Sequence, residues 1–125
     1  MEQLSFSKVE MAAIIKTALA MAAADGKVED TEKAMIAIEA ARFNLGSENF
    51  ESLLKMATAM SATDSMAMIA AMNDAEKRYV ASYLGTMIAV DGDVDDKEMA
   101  LWRLISTLCD LPTMNIADAI EYMTN

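Results

Sequence analysis

Histidine is absent from this chain. Its absence removes the Ser-His-Asp and Cys-His nucleophile arrangements and the commonest zinc ligand sets. It also removes the one side chain whose unperturbed pKa lies near neutrality. Cysteine occurs once, which excludes an internal disulfide or a thiolate cluster and is compatible with a reducing cytoplasm. Proline occurs once and glycine four times, so strong chain breakers are few. Basic residues number 10 against 20 acidic ones, a net charge of −10. A chain so charged repels phosphate backbones and anionic lipid, so neither nucleic acid nor a membrane is an expected partner. The apolar stretch Met11 to Ala24 is too short to span a bilayer and carries Lys16 inside it. Its flanks do not read as a signal peptide.

What is present points one way. The 125 residues suit a single domain over 1–125, and 54% apolar with 24% charged residues describes a globular chain. Alanine and methionine are abundant and form helices well. No segment shows sustained alternation of β-branched residues, so the expectation is all-α, with about seven helices.

Hydrophobic spacing places those helices. Ser7 with Glu10 makes a capping box ahead of Met11, Ile14, Ile15, Ala18 and Ala22. The chain then turns at Asp25-Gly26. A second helix is expected from about Glu29, with Ala34, Ile38, Ala41 and Leu45 on one face, stopping at Gly46. Ser47 starts a third, which turns Phe50, Leu53, Leu54 and Ala57 inward. Ser61 to Asp64 opens a short fourth, to about Met72. Asn73 or Asp74 opens a long fifth, with Tyr79, Val80, Tyr83, Leu84, Met87 and Ile88 on its face. After Asp91-Gly92 a sixth begins near Asp95 and shows Leu101, Leu104, Ile105 and Leu108. Pro112 closes that region, and a last helix carries Ile116, Ala119, Ile120 and Met123.

An internal repeat organises these elements. A shift of 66 residues lays Met21–Leu45 on Met87–Leu111, and nine of the 25 positions are identical. Phe50 and Leu54 then fall on Ile116 and Ile120. A helix, an acidic turn and two further helices thus occur twice, over about 7–58 and 74–124. Two copies are too few for a solenoid. Two pseudo-symmetric helical-hairpin halves in one bundle are the simpler arrangement.

The repeated core is Asp-Gly-x-Val-x-Asp-x-Glu. The first copy holds Asp25, Glu29, Asp30 and Glu32 against Lys27, net −3; the second holds Asp91, Asp93, Asp95, Asp96 and Glu98 against Lys97, net −4. Capping explains part of this. Acidic side chains in a first helical turn meet free N–H groups and the positive end of the dipole, each worth roughly 0.5–1 kcal/mol. Asp95 to Glu98 fits a capping box with Asp in place of Ser. Asp25 and Asp91, however, come at the ends of helices, where the dipole disfavours a carboxylate. Asp93 crowds a loop already negative. Carboxylates gathered at a turn are the ligands that hard divalent cations accept, and calcium or magnesium would relieve the repulsion. The second loop is no EF-hand: its sixth place holds Asp96 where glycine is required, and its twelfth holds Trp102 where a bidentate Glu is required. A pseudo-dyad would bring Asp25 and Glu32 to the same side as Asp91 and Glu98, as one joint acidic patch.

The segments ADGKVEDTE and VDGDVDDKE, each after an Ala/Met-rich helix, resemble the TerB-like tellurite-resistance family. The resemblance extends over nearly the whole chain. It implies a compact helical domain with an acidic surface that binds a divalent cation and serves bacterial stress responses through partner proteins. By resemblance the candidate ligands are Asp25, Asp30 and Glu32 with Asp91, Asp96 and Glu98; Asp93 and Asp95 match no Asp in the first copy. The expected function is therefore cation binding and partner engagement in the cytoplasm, without catalysis. The alternative is a metal-free acidic module that meets a basic partner. Met56, Met60, Met66, Met68 and Met72 read first as flexible core filling, second as a partner groove and last as a soft-metal thioether site. Cys109 reads as a small core residue, and Trp102, Tyr79 and Tyr83 as packing anchors.

Overall fold

Short polar side chains start the helices, as the capping pattern requires. The structure, a computed structural model, describes residues 6–23, 34, 47–89 and 96–124. Among these residues the fold is helical throughout, without strands. The helices are α1 (Lys8–Ala22), α2 (Ser47–Ala59), α3 (Ala62–Ala70), α4 (Asp74–Ala89), α5 (Asp96–Leu108) and α6 (Ile116–Thr124). The second helix expected from sequence lies outside the described residues except for Ala34, which is helical and exposed. No described helix is long and apolar enough to cross a membrane.

Caps account for four of the helix starts. The Ser7 hydroxyl accepts from the Glu10 amide at 3.0 Å, and the Glu10 carboxylate accepts from the Ser7 amide at 2.8 Å. Asn73 and Glu76 make the same reciprocal pair at 2.8 and 3.0 Å. These two boxes are 66 residues apart, so the repeat already begins at the caps. Ser61 and Asn115 cap α3 and α6 with single bonds to Asp64 and Asp118. Each cap replaces one orphan N–H partner and contributes about 1 kcal/mol.

Burial follows the same shift. Met11, Ala13, Ile14, Ile15, Thr17, Ala18 and Met21 of α1 fall on Lys77, Tyr79, Val80, Ala81, Tyr83, Leu84 and Met87 of α4, and all are buried. Ala12 alone of the buried α1 residues falls on an exposed one, Arg78. The packing partners correspond too: α1 lies chiefly on α2 and α3, α4 on α6, and α1 touches α4. Sizes differ between the copies. Ala13 and Thr17 occupy the places of Tyr79 and Tyr83, which stack at 5.9 Å, with Phe6 against Tyr79 at 5.4 Å. A small face and a large face can interdigitate where two identical ones would collide.

The methionines serve the core. Met72 is buried, and Met56, Met60, Met66 and Met68 pack against the same apolar cluster. Cys109 is fully buried.

Helix α5 departs from its expected face. Leu104 and Leu108 are 53% and 56% exposed and Leu101 is half-buried. Ile105 is buried as expected, and the stripe it belongs to runs Glu98, Trp102, Ile105 and Cys109, at helical spacing. The buried side is thus turned by about one residue, some 100°, from the exposed leucines. The indole explains why. Trp102 buries more area than a leucine, and its Nε1–H donates to the Ala81 carbonyl at 3.2 Å. Gly85 makes room: a Cβ there would lie 2.5 Å from the Trp102 ring and 2.9 Å from the Ala119 Cβ.

Candidate functional site

Two of the eight candidate ligands fall within the described residues. Asp25, Asp30, Glu32, Asp91, Asp93 and Asp95 lie outside them, as do both Asp-Gly turns and, Glu98 apart, the expected joint acidic patch. Asp96 and Glu98 stand in the first turn of α5. Asp96 is exposed. Glu98 is only 5% exposed and is engaged rather than free.

The position of Glu98 is the informative one. It heads the inward stripe of α5, four residues before Trp102. An ionised carboxylate taken out of water needs compensation by hydrogen bonds or opposite charge. The helix N-terminus supplies part of it through its dipole. A carboxylate held in this way is also a pre-placed oxygen ligand for a hard cation. The donor chemistry fits calcium or magnesium: every candidate is a carboxylate, and the chain has no imidazole. Cys109 is committed elsewhere, with its Sγ 3.6 Å from the Met66 carbonyl. Among the described residues no three Asp, Glu or Cys side chains gather closely enough to hold a metal. Asp96 and Glu98 therefore need oxygens from residues outside that set.

A second polar site went unseen in the sequence. Asp110 has φ 55°, and it ends α5 in a Schellman arrangement. The Leu111 amide bonds the Ser106 carbonyl at 2.8 Å and the Asp110 amide that of Thr107 at 3.4 Å. The left-handed turn brings the Asp110 carboxylate 3.5 Å from the Lys77 ammonium, whose side chain is 11% exposed. Lys77 stands where the first copy has Met11. Burial raises the Cys109 thiol pKa, and the Lys77 charge partly offsets the rise. The residue 66 before Asp110 is Asn44, also tolerant of positive φ. Those two residues, with Pro112 just beyond, were the available signal.

A groove of about 540 Å³ runs along α5 to the 111–115 segment, lined by Trp102, Arg103, Thr107, Asp110 and Met114 among others. The Thr107 hydroxyl in it donates to the Arg103 carbonyl at 3.0 Å.

The family model described as Tellurite resistance protein TerB matches residues 11–121. A crystal structure of a protein of unknown function from Porphyromonas gingivalis W83 superposes with a TM-score of 0.86. It is 47% identical, covering 98% of this chain and 99% of its own. Among curated proteins, none matches.

Proposed function

The chain belongs to the TerB family, and from that premise we propose a non-catalytic helical module of the bacterial stress response, cytoplasmic, which binds calcium or magnesium and acts through partner proteins. Asp91, Asp93, Asp95, Asp96 and Glu98 would hold the cation in the second copy, and Asp25, Asp30 and Glu32 in the first. A bound divalent ion would neutralise carboxylates that otherwise repel one another, and so order the turn for a partner. The observation that carries this reading is Glu98. It is a carboxylate on the buried stripe of α5, at the end of a segment with five acids in eight residues.

Calorimetric titration with calcium and with magnesium tests it, alongside melting curves with and without chelator. At about 100 times the dissociation constant the cation should add roughly 2.7 kcal/mol of stability. Asp91→Asn combined with Glu98→Gln should remove most of that gain and leave helix content unchanged. Heatless titrations and an unmoved melting temperature in millimolar cation would refute it. They would favour the metal-free module, for which the placement of Asp96 and Glu98 at a helix N-terminus already speaks.

A further inference from the structure

The exposed face of α5 has no covering element among the described residues, and its pattern is self-complementary. Leu104 and Leu108 form one edge, 53% and 56% exposed. Arg103 and Asp110, both exposed, form the other edge, and the small exposed residues Ala100 and Thr107 lie between. We propose that this face joins two copies of the chain, α5 antiparallel to α5, about a dyad near Thr107.

A dyad normal to two antiparallel helices brings like edges together. On the apolar edge Leu104 then meets Leu108 of the second copy, and Leu108 meets Leu104. On the polar edge Arg103 meets Asp110, again twice. Both pairings centre near residue 106, so one register satisfies them at once. The small Thr107 near the centre permits close approach of the two backbones. The Thr107 hydroxyl donates to the Arg103 carbonyl at 3.0 Å, so covering it leaves no donor unmet. Arg103 has no acidic partner among the described residues, and the Asp110 carboxylate is 94% exposed beyond its contact with Lys77.

The repeat argues that the fold does not need Arg103 or Leu108, which stand where the first copy has Ala37 and Arg42; Leu104 and Asp110 keep their character there as Ile38 and Asn44. An exposed leucine in place of an arginine costs solubility and returns nothing to a monomer. The pairing engages 103–110 and leaves Asp96 and Glu98 outside the contact. Two helical turns per copy make a small interface, at the weak end of specific association.

Sedimentation velocity of the full chain in chelator, from about 10 μM to 1 mM, reads the equilibrium. Dimer should appear with a dissociation constant on the order of 100 μM, as befits a contact under about 1,200 Å². Leu108→Arg, which restores the residue of the first copy, should weaken it about tenfold or more. Arg103→Glu sets two acids face to face and should do the same, and it keeps the test decisive if the first variant loses its fold. Dichroism should show unchanged helix content in both, since the altered side chains are exposed. A chain that stays monomeric throughout, whether or not another protein covers this face, overturns the proposal. So does a dimer that Leu108→Arg leaves intact.

Discussion

Replacing Gly85 with alanine isolates the contact that sets the register of α5. On intrinsic grounds the change should help, because alanine is better than glycine inside a helix by about 0.5–1 kcal/mol. The structure opposes it. The new Cβ would lie 2.5 and 2.8 Å from the Trp102 ring carbons Cζ2 and Cη2 and 2.9 Å from the Ala119 Cβ. Neither neighbour is the free end of a flexible chain: the indole is 3% exposed and Ala119 is fully buried. Overpacking of this kind costs about 1–3 kcal/mol. A displaced ring also loses its bond to the Ala81 carbonyl, 3.2 Å long. An indole N–H left buried without that bond costs a further 1–3 kcal/mol, roughly. The net expectation is destabilisation by about 2–4 kcal/mol, or about 6–15 °C in Tm for a chain of this length. Urea unfolding followed by dichroism and by fluorescence measures it, since Trp102 is the sole tryptophan. The cause is testable in the same assay. In a Trp102→Leu background, Gly85→Ala should cost at least about 1 kcal/mol less, a non-additivity expected of residues in contact. A Gly85→Ala protein as stable as the original would refute the reasoning, as would an equal cost in both backgrounds.

Ser7→Ala and Asn73→Ala should each cost about 1 kcal/mol in urea unfolding, and the double variant close to the sum, because the two caps share no partner. The Cys109 thiol should resist a water-soluble disulfide reagent at neutral pH until the chain unfolds. Its folded pKa is raised from 9.0 by burial, so the folded state holds this proton more tightly than the unfolded one. Its contribution to stability is therefore complete below that pH and is lost as pH rises past it, and Cys109→Ala should flatten that alkaline decline.

Much of the fold was legible because caps and periodicity agreed. Ser7 with Glu10 announced α1 and Asn73 or Asp74 the start of α4, where Asn73 proves to be the cap, and the apolar faces read for those helices are buried wherever described. Helix α5 misled because it carries two apolar stripes. Leu101, Leu104 and Leu108 form one, Trp102 and Cys109 the other, and Ile105, read with the leucines, belongs with the indole. Spacing cannot rank them. The ranking comes from another helix, where Gly85 opens the slot that an indole fills and a leucine would leave partly empty. A glycine inside the strongly helical α4 was the clue, since glycine there is costly without a packing reason.

That same rotation decides what could be known of Glu98. A glutamate at the third residue of a helix satisfies a capping box whether it points outward or inward, so the sequence motif fits capping and ligation equally. Direction separates them. Had α5 been centred on Leu104, Glu98 would stand on its flank, in water, where a cap is a sufficient account. With Trp102 at the centre, Glu98 sits one turn earlier on the same stripe and is 5% exposed. Capping alone does not require that burial, because a glutamate reaches an N-terminal amide from the surface, as Glu10 and Glu76 do. The tryptophan that fixes the register thus also draws the last acid of the second motif inward. The first copy has Glu32 four residues before Ile36, an aliphatic residue in the place of the indole. The two acidic motifs, alike in sequence, therefore differ in the residue that stands one helical turn beyond the last acid.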